Sequence, residues 1–260
     1  MSVERPEGEV DGLGAGEDPR RIVVIGAAGG IGRVLVKSLR GGGHDVVALD
    51  LQASLDRHPP DVAAIPIDVL SQDAIDAAAA AVADAGRPLD GLVNLAGYSH
   101  GVMALAETGI EAFDDTVAGN MRGVFLATKA LLPLMARDAS IVLVSSGLAH
   151  FIRPGHGAYA ASKAGVIALA KTFALECAPS IRVNAVAPGP VQTAFLTGGT
   201  GRSDEDQASI VAVEQLATTV PLGRIAQPRD VVGPIEFLLG PQSGFMTGQV
   251  LWVNGGAYMP

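Results

Sequence analysis

Short apolar runs rich in β-branched residues alternate along this chain with longer, often alanine-rich segments whose apolar residues recur at helical spacing. That alternation predicts stacked βαβ units around a parallel sheet. Strands are expected at Arg21 to Ile25, Asp45 to Leu49, Val62 to Ile67, Gly91 to Leu95, Ser140 to Val144, Ile181 to Val186 and Gln249 to Val253. Several are almost entirely apolar, as strands covered on both faces must be. Between them, Ile31 to Arg40 reads as a helix stopped by Gly41-Gly42-Gly43, and Ser71 as the N-cap of a helix ending at Gly86 and Pro88. Asp114 to about Arg137 is helical by apolar spacing, with Pro133 set to kink or end it. A helix carrying Tyr159 and Lys163 runs to about Cys177 and stops before Pro179, and Pro228 suits the first position of a late helix, Arg229 to Leu239. The expected fold is α/β: one doubly wound Rossmann-like domain over residues 21 to 260, with about seven strands in the order 3-2-1-4-5-6-7.

Composition narrows the partners. The chain has 260 residues, 48% hydrophobic and 17% charged, enough for one full core without a second domain. A net charge of -9 and the lack of a Lys/Arg stripe argue against nucleic acid, and acidity also disfavours an anionic membrane surface. The longest charge-free stretch, Phe237 to Pro260, is broken by Gly240, Pro241, Gly244 and Gly248 and cannot span a bilayer as one apolar helix. A single cysteine, Cys177, excludes an intrachain disulfide or a cysteine-based metal cluster, and no metal site is expected; a reducing cytoplasm suits the chain. Residues 1 to 20 are acidic, rich in Gly and Pro, and read as a disordered tail.

Three features carry chemistry. Tyr159 and Lys163 are four positions apart and share a helix face. Ionising a free phenol of pKa about 10 at neutral pH costs about 4 kcal/mol, and a neighbouring cation is expected to lower that cost. After the first strand, Gly26, Gly30 and Gly32 leave backbone N–H groups open to a pyrophosphate at the helix N-terminus, with Ile31 in the same turn. Asp50, ending the second strand and followed by Leu51, can accept hydrogen bonds from an adenosine ribose and would repel a 2′-phosphate, which favours NAD over NADP.

With these residues in view the chain resembles the short-chain dehydrogenase/reductase family, over residues 21 to 258. The resemblance extends to Asp68-Val69, which it implies border the adenine, and to Asn94, Ala96 and Gly97 beside the cofactor ribose. It implies that Pro188, Gly189, Val191 and Thr193 contact the nicotinamide. The catalytic set it implies is Asn120, holding a water in a proton relay, Ser146, binding the substrate oxygen, Tyr159 as acid/base, and Lys163 as ribose ligand and electrostatic partner. Ile25 and Leu95 depart from the family's usual residues, as does Asn254, without removing a catalytic group.

The reaction so implied is NAD-dependent interconversion of a small secondary alcohol and a ketone. Reduction of a 3-oxoacyl thioester with NADPH shares every motif, and a catalytically silent cofactor sensor is a third reading. Leu148, His150, Phe151, Pro190 and Phe195 are expected to form a largely apolar substrate pocket, with His100, His156 and Arg153 as further candidates. Ser145 should point away from Ser146 by strand alternation. Residues 195 to 219 read as a lid. Excess apolar surface on the two long helices predicts a homo-oligomer, and the resemblance implies a tetramer.

Overall fold

The computed structural model describes residues 19–197 and 213–259. Residues 1–18 of the expected disordered tail and the middle of the expected lid therefore lie outside the described residues, while Arg20, expected in that tail, is instead tied to the fold by its guanidinium, which donates to the Leu239 and Asp90 carbonyls. The strands are β1 (Arg21–Ile25), β2 (Asp45–Asp50), β3 (Ala63–Pro66), β4 (Leu89–Asn94), β5 (Met135–Val144), β6 (Ile181–Pro188) and β7 (Val250–Val253). They form one parallel sheet in the order β3-β2-β1-β4-β5-β6-β7. The helices are α1 (Gly30–Gly41), α2 (Gln52–Arg57), α3 (Gln72–Ala83), α4 (Ile110–Val117), α5 (Gly123–Leu131), α6 (Gly157–Cys177), α7 (Val213–Thr218) and α8 (Pro228–Leu239).

Strand β1 shows why the apolar runs belong in the middle of this sheet. Val23 and Ile25 face a core with Ile75 and Val82 of α3, Val124 and Leu131 of α5, and Val166 and Phe173 of α6. Ile22 and Val24 face the opposite core, with Leu35 and Leu39 of α1 and Val231, Ile235 and Leu238 of α8. Period-2 alternation thus feeds two helical layers, and a polar residue on either face of β1 would lose its water. Strand β3 is the exception that fits its place: at the sheet edge it is mostly exposed and ends in Pro66, whose missing N–H costs nothing there.

The helix expected over Asp114 to Arg137 is differently built. It starts at Ile110, widens into a π-turn at Ala118–Arg122, resumes as α5 and closes in a 3-10 turn at Leu132–Leu134. Pro133 ends the helix, and Met135 already pairs with Leu89 as the start of β5. Helix α2, six residues long, was not legible in the apolar spacing. Among the described residues no helix is long and apolar enough to cross a membrane.

Candidate active site

The strand order reverses between β1 and β4, and the carboxyl ends of β1, β4, β5 and β6 open there onto a cleft of about 340 Å³. Glycines shape its first wall. Gly26 has φ +80°, a left-handed conformation, and its N–H donates to the Leu49 carbonyl at 2.8 Å. A Cβ on Gly32 would lie 2.1 Å from the Gly26 carbonyl oxygen, and one on Gly30 would lie 2.6 Å from the Thr193 Cβ. Helix α1 begins at this wall with Gly29 as N-cap, no side-chain cap bond and no acid in its first turn. Its leading N–H groups and the positive end of its dipole thus remain available to an anion.

Asp50 stands at the end of β2. Its Oδ2 accepts from the Ala28 N–H at 2.9 Å and its Oδ1 from the Leu51 N–H at 2.8 Å. Burial raises its pKa, while these backbone donors pull it down. The glycine wall, the uncapped helix and this anchored carboxylate together fit a dinucleotide, with a diphosphate at α1 and a ribose at Asp50.

The other end of the cleft holds the residues expected to handle a proton. Ser146 follows β5, and its Oγ accepts from the Leu148 N–H at 3.2 Å as it opens a 3-10 turn at Gly147–Ala149. Tyr159 and Lys163 occupy the first two turns of α6. Lys163 is 3% exposed, its Nζ lies 5.8 Å from the Tyr159 ring centre, and it donates to the Val144 carbonyl at 3.1 Å. The neighbouring Ser145 turns inward as expected, its Oγ donating to the Lys163 carbonyl at 2.7 Å.

Electrostatics here depart from the sequence-based expectation. The Tyr159 ring keeps an edge on the cleft, yet the protein around its hydroxyl desolvates the phenolate and pushes the pKa up to about 12, opposed by a hydrogen bond with Ser146. Burial likewise brings Lys163 down to about 8. Desolvation, not the expected help from Lys163, governs the phenol in this structure.

Most residues expected at the cofactor line the cleft: Gly26, Gly30, Ile31, Gly32, Asp50, Leu51, Asp68, Val69, Ala96, Gly97, Pro188, Gly189, Val191 and Thr193. Asn94 is instead buried behind the wall, its Oδ1 accepting from the Ala96 N–H at 3.1 Å, where it shapes the turn that presents Ala96 and Gly97. Asn120 is also absent from the lining. Its side chain clamps the loop after β4, accepting from the Tyr98 N–H at 2.9 Å and donating to the Tyr98 carbonyl at 2.8 Å and the Thr116 carbonyl at 3.0 Å. Both N–H groups of the amide are thereby used, and Oδ1 keeps one acceptor site beyond the Tyr98 bond. Asn120 stays close to the chemistry, however: a Cβ on Gly97 would lie 2.5 Å from its Oδ1 and 2.9 Å from Lys163 Nζ.

Of the expected substrate residues, Leu148, Phe151, Pro190 and Phe195 line the cleft, with Phe195 5.7 Å from the Tyr159 ring. His150 does not. It lies exposed in a separate recess, its ring 5.6 Å from that of Trp252. His150 caps the end of the 3-10 turn with φ -120° and ψ -45°, and it leaves the side that Leu148 and Phe151 take toward the cleft. His156 and Arg153 line the cleft, whereas His100 turns outward to Asp115 at 2.8 Å. Tyr98, Val102, Leu216, Val220 and Tyr258 also line it and were not anticipated; the Gly255-Gly256 turn, with φ of +63° and +86°, was the one sequence signal that the C-terminus doubles back.

A family model described as enoyl-(acyl carrier protein) reductase matches residues 26–258. The chain belongs to the short-chain dehydrogenase/reductase family. It is 36% identical over 244 residues to an uncharacterized short-chain type dehydrogenase/reductase, y4vI, of Sinorhizobium fredii; that match covers 91% of this chain, which spans 43% of the relative's length. It is 35% identical to the 3-oxoacyl-[acyl-carrier-protein] reductase FabG of Thermotoga maritima, covering 90% of this chain and 96% of that one. Among solved structures, 3-ketoacyl-(acyl-carrier-protein) reductase from Brucella melitensis complexed with NADH superposes with a TM-score of 0.83 at 29% identity, covering 95% of this chain and 100% of that one. Membership in this oxidoreductase family makes the dinucleotide fit of the cleft that of a nicotinamide cofactor.

Proposed function

We propose that the protein is an NAD-dependent oxidoreductase interconverting a secondary alcohol and a ketone, acting in the cytoplasm as a homo-oligomer, with a tetramer favoured. The observation that carries the reading is the convergence of Ser146, Tyr159 and Lys163 at one end of a cleft whose other end is the glycine wall and Asp50. A bound nicotinamide supplies the hydride exchanged with the carbonyl carbon and, when oxidised, a positive charge near the phenol.

The chain's own residues handle one proton. In reduction Tyr159 donates its phenolic proton to the carbonyl oxygen while the Ser146 hydroxyl donates a hydrogen bond to the charge developing there. In oxidation Tyr159 accepts the hydroxyl proton. With a pKa of about 12 the hydroxyl keeps its proton at neutral pH, which suits reduction, whereas oxidation needs the phenolate, the form that a charged Lys163 favours. Asn120 serves as a positioning residue, fixing the Tyr98 loop and thereby Gly97 against Lys163. Asp50 selects NAD by accepting ribose hydroxyls and repelling a 2′-phosphate.

The names of the two reductases similar to this chain support a second reading, reduction of a 3-oxoacyl thioester, for which NADPH is the proposed cofactor although one of the two is complexed with NADH. Absorbance of reduced cofactor across a panel of alcohols, ketones and a 3-oxoacyl thioester, with NAD(H) and NADP(H) in parallel, separates them. Turnover with NAD(H) on simple alcohols supports the first reading, and thioester turnover with NADPH the second.

A further inference from the structure

Arg153 stands in the wall of the cleft with Phe151, His156 and Tyr159. Its guanidinium lies over the Phe151 ring, 5.8 Å from the centroid. Phe151 in turn stacks on Tyr258, with centroids 5.5 Å apart and planes 9° apart. The stack backs the planar cation with aromatic surface, and a guanidinium so backed can turn its N–H groups to a ligand.

Among the described residues no carboxylate pairs with this guanidinium. The described acidic residues lining the cleft are Asp50 and Asp68, both at the far end beside β2 and β3. Burial first and the charge of Arg153 second lower the pKa of His156. The first turn of α6, which begins beside this corner, has no acid and no side-chain cap, so the helix dipole adds to the positive potential. In a chain of net charge -9, this end of the cleft runs against the overall sign. Around the cation the wall is apolar, with Leu148, Val102 and Tyr258.

We propose that the substrate of the reaction inferred above, on which this step rests, carries an oxyanion end group, carboxylate or phosphate, held by Arg153 while its apolar body lies along Leu148, Phe151 and Tyr258. Both end groups match the two-pronged donor edge of a guanidinium. A neutral alcohol of the same shape would leave that edge without a partner.

Isothermal titration tests the assignment with three probes sharing a six-carbon chain: hexanoate, hexyl phosphate and the uncharged hexanamide. Each is titrated into the intact chain with and without NADH, and into Arg153→Met and Arg153→Lys. We expect one anion to bind roughly 10- to 100-fold more tightly than hexanamide, Arg153→Met to erase that difference, and Arg153→Lys to keep part of it. The tighter anion identifies the end group. Equal affinities, no binding by any probe, or an anion preference that survives Arg153→Met overturns the proposal. Turnover is read separately by cofactor absorbance: Arg153-dependent binding without hydride transfer on any alcohol or ketone sinks the reaction and keeps the site.

Discussion

The Lys163 ammonium donates to the main-chain carbonyl of Val144 at 3.1 Å, which ties the helix bearing Tyr159 to the strand that delivers Ser146. The proton-handling groups are therefore registered by one buried cation. Removing its charge acts on stability as well as on chemistry.

Because burial depresses Lys163 to about 8 while the unfolded chain keeps the ordinary value of about 10.5, the unfolded state holds more protons between those limits. Stability from this group accordingly rises as pH climbs from about 8 toward 10.5, by on the order of 3 kcal/mol at most. Tyr159, raised to about 12, works oppositely above pH 10, where the unfolded chain loses its proton first. Urea midpoints measured between pH 7 and 10 should climb in the wild type relative to Lys163→Met; parallel profiles refute the burial argument.

Tyr159→Phe removes the only hydroxyl proposed to move a proton and leaves the ring packed against Phe195. Turnover should fall roughly 10²- to 10⁴-fold. NADH affinity, read by fluorescence of the reduced cofactor, should change little. Retained turnover would mean that another group carries the proton.

Gly32→Ala places a methyl group 2.1 Å from the Gly26 carbonyl oxygen, a backbone atom with no room to yield. NADH binding should be lost or weakened by well over tenfold. Gly43 is the control: its φ is +84° but nothing lies within 4 Å of the added Cβ, so Gly43→Ala should cost about 1 kcal/mol of stability and leave NADH affinity intact. Comparable NADH binding in the two variants would remove the diphosphate from this wall.

Asp50→Asn keeps the size but swaps one acceptor oxygen for a donor, leaving the Ala28 or the Leu51 N–H unpaired. That should destabilise the fold by about 1–3 kcal/mol. The kcat/KM ratio of NADH to NADPH should drop at least tenfold as the repulsive charge disappears. An unchanged ratio would show that Asp50 does not read the ribose.

Apolar runs alternating with helical segments made most strand positions legible, because a strand covered on both faces has little choice of residue, whereas the order of the strands followed from the doubly wound class. The misjudged segment, 114 to 137, has helical spacing throughout; Pro133 marked its end, but only pairing with Leu89 turns Met135 into strand. At the site, glycine spacing, Asp50 and the Tyr159–Lys163 pair were readable because each depends on local geometry. His150 was not, since its direction comes from a 3-10 turn invisible to a count of residues, and Tyr258 arrives from the far end of the chain.

By itself the amino-acid sequence determined the doubly wound class, the family resemblance and the residues proposed to handle the proton, all of which are written in periodicity and in short-range spacing. Tertiary structure alone decided that desolvation dominates Tyr159 and Lys163, that Asn120 clamps a loop, and that Arg153 meets the cleft on an aromatic stack. Burial and side-chain direction depend on the packing of separate elements, from Lys163 on Val144 and Asn120 on Tyr98 to Phe151 on the distant Tyr258, and local spacing carries no record of that packing.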